Sequence, residues 1–309
     1  MSKLFPDRPL YRREWLIVGY PVLAAFLLLF VIRLLGLYLP LPTGSLLFKT
    51  VCELLVFALP FSVFFALRGK EYRRALRLRA PKKQNVAFLT AAFFTLLAGS
   101  VLLSSLWQGG TSLGNSATVF ESVDAATPQA AVAALLALAV LPAVLEELFF
   151  RALLVAEYER RGAVRAVLMS AFLFSLSHFD VRNLVLYFCS GVLLALVLLA
   201  TDSIWATVIL HALYNALLLF GQRYLNALYR FTGSPELFLF LVILLLLIAL
   251  LAFCKCGAKL YRARAQAEQK NPRRDVPRHV QLYTTLDALL DPPILICAVI
   301  AVIGFIVLA

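Results

Sequence analysis

Three histidines occur in the chain, and two of them, His178 and His211, lie inside long apolar stretches. A third apolar stretch carries Glu146, Glu147 and Arg151 in the run from Pro142 to Arg151. Charged and titratable groups at membrane depth are costly, so a chain that keeps several of them uses them on an interior pathway or at a reaction site. The residue types define the chemistry on offer. A carboxylate in a partly dry cavity can take a proton from water while an imidazole orients that water or shuttles the proton. A second imidazole, with a carboxamide beside it, can donate hydrogen bonds to the oxyanion of a tetrahedral intermediate. Together these groups support hydrolysis.

Their spacing is informative. Glu147 and Arg151 stand four residues apart, on one helix face, where carboxylate and guanidinium reduce each other's desolvation cost. Glu146 is displaced by about 100° around the axis and is free for other partners. Phe174 precedes His178 by one turn on the same face, and His211 and Asn215 repeat the i, i+4 relation. A structural ion pair would account for Glu147 and Arg151 alone, and a lone intramembrane histidine commonly serves as an interhelical hydrogen-bonder. The weight therefore rests on the combined placement. Counting about 1.5 Å per residue from the presumed cytoplasmic boundaries at Glu157, Arg165 and Asp202 puts Glu146 roughly 16 Å deep, His178 roughly 20 Å and His211 roughly 14 Å. Antiparallel spans would thus bring all three to similar depth. The chain has no Gly-x-Ser-x-Gly elbow and no His-Glu-x-x-His helix, which argues against a serine esterase and an ordinary zincin.

The elements that must position these groups are membrane spans. The chain is 62% hydrophobic and 15% charged, with mean hydropathy +0.88, which is too apolar for a soluble globule. Apolar blocks near residues 15–35, 46–67, 86–106, 129–155, 164–180, 183–200, 204–220, 236–253 and 292–309 approach the length needed to cross a bilayer. The expectation is an all-α, polytopic transmembrane helix bundle of eight to nine spans. Its parts are an N-terminal region, 1–128, with three spans and a basic loop, a catalytic core, 129–220, and a C-terminal region, 221–309, with a basic loop and an appended last span.

The net charge of +12 is distributed as topology rather than as a nucleic-acid surface. Lys and Arg gather at the N-terminus, in 68–83, after span four and in 255–278, whereas 108–129 has none. Basic loops stay in the cytoplasm, so the N-terminus is expected inside and the C-terminus outside. Arg223 and Arg230 fit this scheme poorly, and Asp202 sits alone in a short inner loop. Arg73, Arg74, Arg77 and Arg79 alternate with apolar residues, as in a short helix on anionic lipid or in a solvated positive loop. Segment 107–128, rich in Gly, Ser and Thr, reads as a flexible outer loop. Span one reads as a retained anchor, too long for a signal peptide. The five cysteines show no secreted-type framework. Glu53 and Arg33 match no motif, and partial burial or snorkelling accounts for them. His279 reads as solvated, and Trp15 and Trp107 as interface anchors.

Glu146-Glu147-x-x-x-Arg151, Phe174-x-x-x-His178 and His211-x-x-x-Asn215, in that order and on separate spans, resemble the three motifs of the CAAX-protease and bacteriocin-processing family of intramembrane proteases. The resemblance covers about residues 129–220. It implies that Glu146 and His178 activate water, that His211 and Asn215 form the oxyanion site, and that Glu147 and Arg151 shape the cavity. It also implies a glutamate-dependent reaction without metal. Zinc held by Glu146, His178 and His211 is the alternative, since these are acceptable ligands. Ala152 departs from the pattern, because many members carry glycine there. The implied partner is a membrane-associated peptide or protein in a lipid bilayer, and no nucleic acid is expected; compact loops and the lack of an appended targeting signal make a bacterial inner membrane the expected location.

The rival from another class is a proton-coupled transporter, because intramembrane Glu, His and Arg also make proton relays. Repeated halves or interrupted helices would mark it, and neither is evident in the sequence. A silent scaffold that binds peptide without turnover is a third reading.

Overall fold

A computed structural model describes residues 10–108, 127–268 and 285–308. Among these the chain is all α, with no strand. Helix α1 runs Leu10–Tyr38, α2 Leu46–Arg68, α3 Lys83–Leu106, α4 Pro128–Tyr158, α5 Ala163–Ser177, α6 Leu184–Thr201, α7 Ile204–Phe220, α8 Gln222–Thr232, α9 Pro235–Glu268 and α10 Pro292–Val307. Six of them (α1, α2, α3, α4, α6 and α9) are long and apolar enough to cross a membrane, and α7 with α8 makes a seventh if that bent pair counts as one span. Helices α5 and α10 are apolar but shorter. Against the expected eight to nine spans, six or seven are long and apolar enough to cross a membrane, and α5 and α10 fall short of that length.

The second half of helix α4 lies at the centre, where consecutive residues are buried on all sides. Phe149, Phe150, Leu153 and Leu154 are all fully buried, and Phe57 of α2 packs on both phenylalanines at 5.5 and 5.6 Å. Three segments, Leu54–Ala58, Leu135–Val140 and Glu147–Val155, wind as π-helix. Such widened turns recur at functional sites. In lipid, helices associate through close packing rather than through the hydrophobic effect, and small residues permit it. At Gly191 of α6 a Cβ would stand only 2.8 Å from the Cα of Ala171 in α5.

Helix α10 belongs to this core, which corrects its reading as an appendage. Ile294, Cys297 and Ala301 are buried in the central cluster, and Gly19 of α1 has no room for a Cβ beside Pro293. At Gly304 a Cβ would collide with the ring of Phe179. A 16-residue run with no charge could not show this, because the contact is made by the absence of a side chain.

One end of the bundle is tied by ion pairs. Arg68 binds Glu157 at 2.7 Å, Arg77 binds Glu159 and also Asp202 at 3.0 Å, and Arg79 binds Asp202 at 2.6 Å. The N–H of Ile204 donates to the Arg77 carbonyl at 3.0 Å, and the Ser203 hydroxyl donates to the Arg79 carbonyl. Segment 70–79 is therefore no lipid-facing helix. It is a short 3₁₀ turn, Lys70–Arg74, followed by chain whose Leu76 and Arg77 turn inward, drawn by the acids at the ends of α4 and α6. Asp202 gains two arginine partners across sequence distance, so it is not alone. Segments 109–126 and 269–284, with His279, and the side chains of Trp15 and Trp107 lie outside the described residues.

Candidate active site

Glu146 and Glu147 sit where α4 passes from α-helical to π-helical winding, and the two carboxylates diverge. Glu147 is fully buried and meets Arg151 at 2.9 Å, itself fully buried. The i, i+4 relation holds in the wider turn. Glu146 instead lines a cavity of about 650 Å³ within the bundle, and its Oε2 is buried without a hydrogen-bond partner.

His178 caps the C-terminal end of α5. Its Nδ1 lies 2.8 Å from the carbonyl oxygen of Phe174. A carbonyl can only accept, so Nδ1 carries the hydrogen and Nε2 of the neutral ring keeps its lone pair, an assignment made from the bonding pattern. The ring is held on both sides, stacked on Tyr187 at 3.8 Å and 21° and edge-on to Phe174 at 4.8 Å. Arg33 of α1 donates to the His178 carbonyl at 2.7 Å. The next residue, Phe179, has φ +49°, a region that bulky L-residues rarely enter. Its ring is packed by Phe26 and Phe30 at 6.1 and 6.2 Å, in the space left by Gly304.

His211 of α7 faces both glutamates. Its Nδ1 is 2.9 Å from Glu147 Oε1, and its Nε2 is 3.9 Å from Glu146 Oε2. The hydrogen on Nδ1 is thus committed to Glu147, in the manner of a carboxylate that fixes the tautomer of a working imidazole. Asn215, one turn further along α7, lines the same cavity.

Phe174 connects these parts. The Arg151 guanidinium stands 4.1 Å from its ring centroid, within the range of a cation–π contact, and the ring also lies edge-on to His211 at 6.0 Å. Of the residues singled out by spacing, Glu146, Phe174, His178, His211 and Asn215 all line the cavity, while Glu147 and Arg151 stand behind it.

Spacing missed four residues of the same wall. Arg33, Glu53, Tyr187 and Tyr214 line the cavity beside the motif residues. The charges of Arg33 and Glu53 inside apolar blocks are the only signal in the sequence, and snorkelling or local burial would account for them equally well. Tyr187 gave none, since its partner His178 lies across a turn between two helices. Among the described residues, no group of three His, Cys, Asp or Glu side chains is arranged to hold a metal ion. Glu146, His178 and His211 do not form such a group. In both histidines the bonded ring nitrogen is Nδ1, to the Phe174 carbonyl and to Glu147, which leaves Nε2 as the nitrogen available to a further partner.

Residues 128–217, less than a third of the chain, match the family model described as type II CAAX prenyl endopeptidase Rce1-like. The match supports assignment to the CAAX-protease and bacteriocin-processing family and, in general terms, a CAAX-type intramembrane endopeptidase. No curated protein and no solved structure matches the chain.

Proposed function

From the Rce1-like match over residues 128–217, we propose that the protein is an intramembrane endopeptidase that cleaves a peptide bond of a membrane-associated peptide or protein with water activated by Glu146 and His178. The observation that carries this reading is that Glu146, His178, His211 and Asn215, drawn from three helices, line a single cavity.

A water between Glu146 and His178 would give its proton to Glu146 and a hydrogen bond to the Nε2 lone pair of His178, which the Phe174 carbonyl keeps free. The water oxygen forms a bond to the scissile carbonyl carbon, and the carbonyl oxygen becomes an oxyanion. Asn215 donates to that oxygen from its carboxamide. His211 can donate from Nε2 once both of its ring nitrogens carry hydrogen, because Nδ1–H is held by Glu147. Collapse of the intermediate breaks the C–N bond, and the proton taken from water leaves with the amine. No metal takes part in this scheme, and the location proposed is a bacterial inner membrane.

The decisive test compares membrane peptides by mass spectrometry from cells carrying the wild-type chain, Glu146→Gln and His178→Ala. Cut peptides should vanish in both variants while the protein still inserts and purifies. Unchanged cleavage in both variants would sink the proposal. Transport in proteoliposomes without cleavage would favour the carrier.

A further inference from the structure

Arg223 and Arg230, which fit the charge topology poorly, lie on α8, and the shape of this helix assigns them a place. Helix α8 leaves α7 at a bend of 68°. The bend falls at Gly221, where a Cβ would strike the carbonyl oxygen of Leu217, so glycine is required for the chain to turn so tightly. At 100° per residue the helix divides into three arcs. Gln222, Arg223, Asn226 and Arg230 form a polar arc. Leu225 and Tyr229 form a second arc and pack on Ala98, Val101, Phe238 and Val242 of α3 and α9. Between them on the other side, Tyr224, Leu228 and Phe231 form an apolar arc, exposed by 63%, 50% and 87%, with the Arg223 guanidinium over the Tyr224 ring at 4.6 Å and donating to its hydroxyl at 2.7 Å. No residue of the helix is buried.

We propose that α8 lies in the plane of the bilayer boundary at the end of the bundle opposite the ion-paired one, with Tyr224, Leu228 and Phe231 among acyl chains and Arg223 and Arg230 on lipid phosphates. Three observations point to lipid as the occupant. The helix begins where an apolar helix ends, so its level is that of the membrane surface. Its polar and apolar arcs are opposed, with cations on the polar side, as in helices that bind anionic lipid surfaces. Its remaining arc is fastened to α3 and α9, which leaves the apolar arc turned away from the bundle. Helix α7 carries His211 and Asn215, so this anchor also fixes the far end of the helix that supplies half of the candidate site. The assignment of α8 is independent of the proteolytic reading.

The test uses the full-length chain with Cys52, Cys189, Cys254 and Cys256 changed to serine, and single nitroxide labels at Leu228→Cys, Phe231→Cys and Arg230→Cys. The protein is reconstituted in vesicles of phosphatidylcholine and phosphatidylglycerol. Labels at 228 and 231 should relax readily with oxygen and be several-fold less accessible to an aqueous nickel chelate than the label at 230. Equal nickel access on both faces would place the helix in water and overturn the proposal. Shielding of 228 and 231 from oxygen and nickel alike would overturn it in favour of a second protein copy.

Discussion

Glu147 and His211, from helices α4 and α7, are joined at 2.9 Å, and the same carboxylate oxygen of Glu147 is 2.9 Å from Arg151. One buried oxygen thus balances a guanidinium and orients an imidazole. Breaking a buried pair by removing one partner costs about 3–5 kcal/mol, whereas replacing both by apolar residues is often neutral. Glu147→Leu should therefore lower thermal stability in detergent sharply, and Glu147→Leu with Arg151→Met should recover much of it. Neither should recover cleavage, because His211 loses its hold in both. A double variant as active as wild type would show that Glu147 acts only in packing.

Arg33 is expected to matter as a positioning residue. Its hydrogen bond to the His178 carbonyl spans 2.7 Å and steadies the turn from which the ring projects. A hydrogen bond with one charged partner contributes about 1.5–3 kcal/mol. If that stabilisation is felt at the His178 ring, Arg33→Ala should slow cleavage by roughly tenfold to a hundredfold. Cleavage rates with normal membrane insertion check this, and an unchanged rate would remove Arg33 from the site.

Gly304→Ala should be harmful although alanine is small and apolar. Its Cβ would meet the Phe179 ring, and Phe179 is covalently next to His178. Overpacking costs about 1–3 kcal/mol, so the variant should unfold at lower temperature and cleave more slowly. Gly44→Ala, where no atom lies within 4 Å of the added Cβ, is the control and should match wild type in both measurements.

Phe174→Leu separates the ring from the backbone. The carbonyl that holds His178 Nδ1 remains, while the cation–π contact with Arg151, about 0.5–2 kcal/mol, is lost. Stability and activity should both fall, by less than in Glu147→Leu. A thermal melt beside a cleavage assay measures the two together.

The part of the site legible in the sequence is the part governed by single-helix geometry. Glu147 with Arg151, Phe174 with His178 and His211 with Asn215 are each one turn apart, and hydropathy places each pair in an apolar block. The all-α class followed from the same blocks. Arg33, Glu53 and Tyr187 were not legible because their relation to the motif residues depends on how α1, α2 and α6 pack, which periodicity does not encode. Asp202 looked isolated because its partners, Arg77 and Arg79, are more than a hundred positions away along the chain. The π-helical winding at Glu147–Val155 was equally hidden, since a pair four apart shares a face in either winding.

That winding sets how the site is aimed. A π turn takes in about one residue more than a regular turn of similar rotation, so the same residues wound as regular α-helix between Arg151 and Glu157 would turn the two ends of the segment against each other. Glu157 is tethered to Arg68 at 2.7 Å, and everything towards the N-terminus would then swing by about 100° about the axis. Glu146 would point into packed side chains instead of the hollow. The salt-bridged end of the bundle is in this sense the fixed datum, and the winding between it and Glu146 is the dial that directs the carboxylate.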